Sequence, residues 1–450
     1  MRITPGRRES RNAIGLLDRD RHAAQRTKLV ATGVSAVGDR RGFKGTVEPP
    51  TTTALTSASR RSLRSMKYVA SSTAEIPPDR VNSASWTALR QALFMVSDRM
   101  LMRWMVHYRM PILPIHDPLH HPTTWPDRRL AVAPMMGCTD RHFRVLARVL
   151  APNCLLYTEM VTTGALTLGD PDRFLRHGTD APCALQVGGN EPGALAQCAV
   201  LAEAAGYQEI NLNAGCPSDR VQQGGIGACL MSSPRLVADA LKAMRAHTSI
   251  PVTIKTRIGI DDADSFEHFR RFVDVAAGSG IDTFIVHARK AVLTGLSPKQ
   301  NREIPPLRYD FVYRVKETYP ELHFVLNGGL LSGKCSTIAA TILHLESLDG
   351  IMIGRQAYAD PMVLAELEYH IFGTSRPNRW GVLNEYRKYI EEEIQSGTPL
   401  RYMARHLLGF VQGLPGARRF RRYLSEHMFD PSSGIDVIDA ALAESGVRPC

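Results

Sequence analysis

The stretch EINLNAGCPS, residues 209–218, is the most informative part of this chain. A short apolar run ends there in a cysteine between Gly215 and Pro217, which places the thiol on a stiff turn where a strand stops. Because side chains alternate along a strand, Asn211 and Asn213 share one face. A thiol with two amides nearby suits a proton donor or a nucleophile. A buried apolar cysteine, which is common in protein cores, is the alternative interpretation.

This run is one of eight short apolar runs that are rich in β-branched residues, and helical patterns separate most of them. Short buried strands that alternate with helices indicate a parallel sheet. Eight such units within about 230 residues have the size of a (β/α)8 TIM barrel. A doubly wound open sheet is the alternative, but no GxGxxG follows the first run. The predicted strands are Leu130–Met135, Leu155–Met160, Cys183–Gly188, Glu209–Ala214, Val252–Arg257, Thr283–Ala288, His323–Gly328 and Gly350–Arg355. The predicted helices are Thr139–Leu150, Gly193–Ala205, Pro234–His247, Asp264–Gly278, Tyr309–Tyr319 and Lys334–Leu345.

An extension of low order is expected before the predicted barrel, over residues 1–125. It is rich in Arg, Ser, Thr and Ala and has no sustained periodicity, apart from an amphipathic helical pattern over Ala88–Met105. Its composition is typical of an organelle transit peptide. The alternative is an upstream stretch included by a wrong start codon, with Met95, Met100 or Met102 as the true start.

A small all-α domain, residues 380–450, is predicted to follow the barrel, which spans residues 126–372. The linker Gly373–Arg379 contains Pro and Gly, and an amphipathic helical pattern runs from Asn384 to about Glu426. Six arginines and no acidic residue lie between positions 398 and 424, a pattern that can attract phosphate groups. They are Arg401, Arg405, Arg418, Arg419, Arg421 and Arg422.

The net charge of +11 comes mostly from the extension. Residues 1–67 hold 15 Lys/Arg against 5 Asp/Glu, and the remaining 383 residues hold 40 against 39. The eight cysteines include no CxxC pair and no secretory signal opens the chain, which argues against a disulfide framework and a metal site. No apolar run reaches the ~18 residues of a membrane span. We therefore expect a protein of a reducing compartment, the cytoplasm unless the extension targets an organelle.

Polar residues and glycines stand at the C-terminal ends of the predicted strands, where (β/α)8 barrels place their active sites. A lysine within a buried strand, such as Lys255, is uncommon unless it is paired. A solvated or structural role is the alternative for each residue taken singly, but their convergence on one rim favours a site. The rim residues include Pro134, Met135, Met136, Gln186, Cys216, Lys255, Arg257, His287, Arg289, Asn327, Gly328, Gly329, Gly354 and Arg355.

The ends of the seventh and eighth strands form a predicted phosphate site. Glycines 328 and 329 allow backbone amides to approach a phosphate closely, and Arg355 adds a forked donor. Lys255 and Gln186 would then face the rest of a phosphorylated cofactor, where a cation stabilises a reduced flavin. A single phosphate fits FMN, since the fingerprint of a dinucleotide-binding domain is absent.

With these motifs the chain resembles the tRNA-dihydrouridine synthases, most closely their A subfamily. The resemblance runs from about Arg129 into the arginine-rich C-terminal region, and the motifs are long. Ala214 and Ile226 stand where the family pattern has Val and an aromatic residue, which are conservative departures. The matching stretches are APMMGCTDRHFR (133–144), LQVGGN (185–190), EINLNAGCPSDRVQQGGIGACLM (209–231), IKTRIGID (254–261), FIVHARKA (284–291), LTGLSPKQNREIPPL (293–307), NGGL (327–330) and IGRQAY (353–358).

The resemblance implies roles for individual residues. The catalytic acid of the family maps to Cys216. The flavin contacts map to Pro134, Met135, Met136, Gln186, Lys255, His287, Asn327, Gly328, Gly329, Gly354 and Arg355. The tRNA contacts map to Asn213, Lys299, Arg302, Arg418 and Arg421.

The resemblance also implies a reaction, which is reduction of the uracil C5=C6 bond at positions 20 and 20a of the tRNA D-loop. NADPH, or NADH, would reduce FMN, hydride would pass from the flavin to C6, and Cys216 would protonate C5. The expected partner is tRNA, with no membrane or protein partner, and the protein is expected to be a monomer. One alternative is an FMN barrel acting on a free pyrimidine, which would not need the arginine cluster. The other is a non-catalytic RNA-binding protein with a flavin fold.

Overall fold

The computed structural model describes residues 126–333 and 335–447. The predictions for residues 1–125, including the helix over Ala88–Met105 and the alternative starts, lie outside the described residues. So does Lys334, at the start of one predicted helix.

A closed ring of eight parallel strands forms the centre of the described chain and confirms the predicted barrel. Every neighbouring pair is parallel, and the ring closes because β2 pairs with both β1 and β4 while β1 also pairs with β9. The two-residue strand β3 pairs only with β4, beside the ring. The strands are β1 Leu130–Val132, β2 Leu155–Tyr157, β3 Val161–Thr162, β4 Cys183–Gly188, β5 Glu209–Ala214, β6 Val252–Arg257, β7 Thr283–His287, β8 His323–Asn327 and β9 Gly350–Ile353.

Several strands end earlier than predicted, always on the side where the site lies. β1 stops at Val132, although the Ala133 N–H still donates to the Ile353 carbonyl at 2.8 Å. Pro134 has no N–H to continue the ladder, so the chain leaves the sheet there. The residues predicted as strand ends therefore lie in the loops that surround the mouth of the barrel.

The barrel interior has an apolar half and a polar half. The apolar cluster is separate from the larger core between strands and helices, because alternate strand residues face opposite sides. The polar residues come from β4, β5 and β6, where the register sets Gln186 opposite Asn211 and Asn211 opposite Thr253. The apolar members are Ala131, Ala133, Leu155, Tyr157, Ala184, Ile285, Val325 and Met352.

Helices cover the outside of the barrel, and their caps explain where they differ from prediction. The first begins at Arg141 rather than Thr139 because the Asp140 side chain accepts the Phe143 N–H as its N-cap. The helix expected over Lys334–Leu345 is split into an α-helix, capped by Thr337, and a 3₁₀ turn. The barrel helices are Arg141–Leu150, Thr163–Thr167, Pro171–Leu175, Pro192–Ala204, Asp219–Gln223, Pro234–Arg245, Phe266–Ala277, Tyr309–Thr318, Ile338–Ile342, Arg355–Ala359 and Met362–Phe372. The 3₁₀ helices are Gly227–Ser232, Gln300–Arg302 and Leu343–Glu346.

The C-terminal part is helical, as predicted, and packs on the barrel. His406, which is fully buried, places Nε2 2.9 Å from the Asp140 carboxylate, and Arg405 pairs with the same carboxylate. Arg141 pairs with Glu393. The helices are Arg379–Gln395, Arg401–Ala404, Leu407–Phe410, Ala417–His427 and Asp436–Ser445, the last of which was not predicted. None of the helices within the described ranges has the length and hydropathy of a membrane span.

Candidate active site

Cys216 lies on a tight turn at the end of β5, and three sets of hydrogen bonds hold this turn. The Asn213 Oδ1 atom accepts the N–H groups of Gly215 and Cys216 at 3.1 and 3.0 Å. The Cys216 carbonyl accepts the Ala228 N–H at 2.9 Å, and the half-buried thiol lies 3.6 Å from the Ser218 hydroxyl. Gly227 must be glycine there, since its φ is +70° and a Cβ would lie 2.5 Å from the Cys216 carbonyl oxygen. The thiol is therefore held at one position on the rim.

Hydrogen bonds from Arg257 connect this turn to the loop that follows β7. Its guanidinium is buried and donates to the carbonyls of Gly215, Lys290 and Asn301 at 2.9, 2.9 and 3.1 Å. The sequence predicts Arg257 on the rim without assigning it a specific role. Its spacing of two residues from Lys255 was the available signal, because that spacing puts both side chains on one face of β6.

Lys255 and Asn327 form the cationic corner of the site. The Lys255 ammonium donates to Asn327 Oδ1 at 3.0 Å, while the Asn327 amide nitrogen donates to the Met352 carbonyl at 2.7 Å. The second bond fixes which amide atom faces the lysine. Burial, with Arg257 nearby, lowers the pKa of Lys255 to about 7. Lys255 therefore needs an anionic neighbour to stay fully charged at neutral pH.

His287 lies beside this corner, at the end of β7. Burial, with the cations Arg257 and Lys255 close by, holds the pKa of His287 well below its ordinary value. The imidazole is therefore neutral near pH 7 and can both donate and accept a hydrogen bond.

Two glycines after β8 bring the backbone close to His287. Gly328 has a φ of +105° and a Cβ there would lie 2.4 Å from His287 Cδ2. Gly329 has a φ of +71°. At the end of β9, Gly354 faces open space, because a Cβ on this residue would have Ala133 Cβ as its nearest neighbour, at 4.0 Å. These side-chain-free positions form a cradle of the kind that a phosphate group needs.

Arg355, predicted to bind the phosphate, stands at this end of the barrel but already has a partner. Its guanidinium is 2.6 Å from the carboxylate of Glu303, and both side chains are about half exposed. Arg302, next to Glu303, is partly buried, and its Nε has no hydrogen-bond partner among residues 126–333 and 335–447. Lys299 is exposed on the same loop. The loop therefore carries Lys299 and Arg302 at this end of the barrel, and its Glu303 pairs with Arg355.

The loop after the first strand contributes apolar side chains to the rim. Met136 is 66% exposed, which is unusual for a methionine, whereas Met135 packs against the barrel interior. The next loop residue, Gly137, donates its N–H to the carboxylate of Glu159, whose pKa burial raises. Glu159 was not predicted as a site residue, although it stands near the end of the second predicted strand.

The structure places Arg418 and Arg421 on the helix Ala417–His427 of the C-terminal part, away from the strand ends. Arg418 is exposed, and Arg421 donates to the Gln412 side chain at 3.1 Å. The arginine cluster is not uniform, because Arg405 pairs with Asp140 and Arg419 donates to the Ser445 carbonyl at 2.7 Å. Some of these arginines thus hold the fold together.

Comparisons with known proteins point to one family. A family model described as dihydrouridine synthase matches residues 131–445, which includes the barrel and nearly all of the helical part. The chain is similar to a tRNA-dihydrouridine(20/20a) synthase of Escherichia coli O6:H1, with 51% identity over 328 residues, 72% of this chain and 98% of the relative. The corresponding Vibrio cholerae protein is 52% identical over 319 residues, 70% of this chain and 96% of the relative. The Pseudomonas putida protein is 51% identical over 320 residues, 70% of this chain and 94% of the relative.

Proposed function

Since the chain belongs to the dihydrouridine synthase family, we propose that it reduces the C5=C6 bond of uridines 20 and 20a in the tRNA D-loop, with FMN as cofactor and NADPH as reductant. Membership of the family makes the chain an oxidoreductase. The positions of the uridines follow the names of the relatives. The observation that carries the proposal is the convergence of the Cys216 turn, the Lys255–Asn327 pair and the glycine cradle on one rim.

The residues of the rim fit FMN. The cradle of Gly328, Gly329 and Gly354 would hold its phosphate, and FMN bound there would supply the hydride for C6 of uracil. Lys255 would stabilise negative charge on the ring, which in turn would raise the lysine pKa from about 7 and keep it charged. The neutral imidazole of His287 would donate a hydrogen bond to the same ring system.

Cys216 is the proposed general acid. Its thiol would give a proton to C5 of uracil, and the thiolate would take a proton from solvent afterwards. Asn213 and Arg257 hold the turn that carries this thiol, so both contribute to its position. The target uridine must leave its stack to reach the thiol, at a cost of a few kcal/mol that is smaller in a loop.

The helical part from residue 380 is the proposed tRNA-binding domain. Exposed Arg418 and partly exposed Arg421 would contact phosphates, while Lys299, Arg302 and Asn213 would contact the tRNA near the target base. If the helical part binds the tRNA phosphates and the barrel binds the target base, the cationic helix has a role that a free pyrimidine would not require.

The proposal is tested with purified protein, NADPH and an unmodified tRNA transcript. We expect a yellow protein with about one FMN per chain, and dihydrouridine at positions 20 and 20a by mass spectrometry. Lys255→Ala and Arg355→Ala should each weaken FMN retention, because each removes a cation beside an anionic group. A colourless protein that FMN cannot reconstitute would end the flavin assignment. Reduction of free uracil or orotate but not of tRNA would favour the free-pyrimidine alternative.

A further inference from the structure

A chain of hydrogen bonds runs through the polar half of the barrel, from its floor to the Cys216 turn. At the floor lies Glu209, a fully buried carboxylate. At the rim lies Asn213, which holds the turn. The links are Thr253 Oγ1 to Glu209 Oε1 at 2.6 Å, Asn211 Nδ2 to Thr253 Oγ1 at 2.8 Å, Gln186 Nε2 to Asn211 Oδ1 at 2.8 Å, and Asn213 Nδ2 to Gln186 Oε1 at 2.9 Å.

Both ends of this chain of hydrogen bonds require the same direction of donation, from the rim towards the floor. At the rim, two backbone N–H groups can only donate, so the oxygen of Asn213 must face them and its NH₂ must face Gln186. At the floor, a carboxylate can only accept, so Thr253 must donate to Glu209 and accept from Asn211. A flip of any amide would set donor against donor at one contact and acceptor against acceptor at the other.

Each oxygen of the Glu209 carboxylate accepts two hydrogen bonds, and together these bonds fix its position. One oxygen accepts two bonds from Arg128, at 2.8 and 2.6 Å. The other accepts the hydroxyls of Tyr157 and Thr253 at 2.5 and 2.6 Å. The Arg128 pair neutralises the buried charge, so the bond to Thr253 is not needed for that purpose.

We propose that Glu209 is a positioning residue, which acts through Thr253, Asn211 and Gln186 to fix the orientation of the Asn213 amide. In that orientation Asn213 uses its oxygen to hold the Cys216 turn. Its remaining N–H hydrogen is available to a carbonyl of a pyrimidine base at the mouth. The chemical role of this arrangement rests on the proposed function, whereas its effect on the Cys216 turn does not.

Thr253→Val tests the proposal, because it removes only the hydroxyl link and leaves the Arg128–Glu209 pair in place. Thr253→Ser keeps the link. Thr283→Val makes the same change at another fully buried barrel threonine, whose hydroxyl donates to Asp282. Asn211→Ala interrupts the chain one link higher and replaces Thr253→Val should that variant fail to fold.

The first measurement uses FMN-free protein and follows alkylation of Cys216 by iodoacetamide with mass spectrometry. Half-buried Cys138 and Cys229 serve as internal references. We expect Thr253→Val to raise the Cys216 rate several-fold relative to these references, because the turn loosens. Thr253→Ser and Thr283→Val should match the parent protein.

The second measurement is single-turnover reduction of tRNA by the reduced holoenzyme. The rate at saturating tRNA should fall about tenfold in Thr253→Val, the effect of losing one buried hydrogen bond, while KM for tRNA stays unchanged. Thr253→Ser should restore the rate. An unaltered rate and unaltered Cys216 alkylation, with only a lower Tm, would overturn the proposal, as would a defect that serine does not rescue. A parent protein that forms no dihydrouridine would refute the proposed function, and the alkylation measurement would still decide whether the link from Glu209 through Thr253 holds the Cys216 turn.

Discussion

The two halves of the barrel interior are stabilised in different ways. On one side, Ile285, Val325 and Met352 belong to a buried apolar cluster, where packing has no preferred direction. On the other, Glu209 and Asn213 are joined by a chain of hydrogen bonds, each of which has a donor end and an acceptor end. The apolar half should tolerate exchanges that conserve volume. The polar half should transmit the loss of a single donor to the rim.

The largest effect is expected at the rim end of the polar half. Cys216→Ala should lower dihydrouridine formation roughly 10²–10⁴-fold, the usual contribution of a positioned general acid. Reduction of bound FMN by NADPH should continue, because the thiol acts only on uracil. Stopped-flow spectroscopy of each half-reaction checks this. Equal loss of both half-reactions would make Cys216 a structural residue.

A smaller effect is expected outside the barrel, where the side chains of Arg418 and Arg421 are in contact with solvent. Arg418→Ala with Arg421→Ala should weaken tRNA binding about tenfold and reduce the slope of log K against log salt by about one to two. Arg419→Ala is the matched control for a structural role, since Arg419 donates to the Ser445 carbonyl. Titrations at several salt concentrations measure both quantities. An unchanged slope in the double variant would move the tRNA surface to Lys299 and Arg302.

Lys255, the partly buried lysine of the polar half, should make the stability of the protein depend on pH. Burial lowers the pKa of Lys255 to about 7 in the folded protein, against roughly 10.4 in the unfolded chain. Between these values the unfolded chain binds more protons, so the parent protein gains stability as pH rises. In FMN-free protein, Lys255→Met should therefore raise Tm at pH 7 by a few degrees, and the difference should shrink towards pH 10. The exposed Lys242→Met is the control, and a difference independent of pH would contradict the assignment.

The smallest effect is expected in the apolar half. Ile285→Val removes one methylene from a fully buried side chain and should lower the free energy of unfolding by about 0.5–1.5 kcal/mol. Dihydrouridine formation should stay within experimental error, since no directional contact is lost. Urea unfolding and single-turnover kinetics provide the test. A tenfold loss of rate in Ile285→Val would show that the two halves do not differ as described.

The first residues of two helices differ by a few positions from the starts that the sequence predicts. The predicted helix at Thr139 begins at Arg141, and the predicted helical region at Asn384 begins at Arg379, each after a capping side chain at residue 140 or 378. Both caps are visible in sequence as Asp and Asn. The helix Asp436–Ser445 was not predicted, although Gly446 ends it in the left-handed conformation and Asp436 and Asp439 lie in its first turn.

The amino-acid sequence was enough to predict the eight strands of the barrel, the helices between most of them, the family and the rim that carries Cys216 and Lys255. These features follow from local patterns, since strand periodicity and turn residues act over a few neighbouring positions. Which polar atoms face each other is known only from the folded structure. Glu209 reaches Arg128 across 81 positions, and Arg355 pairs with Glu303 across 52. Such pairs depend on the register of neighbouring strands and on loop paths, which bring together residues whose spacing in the chain carries no signal.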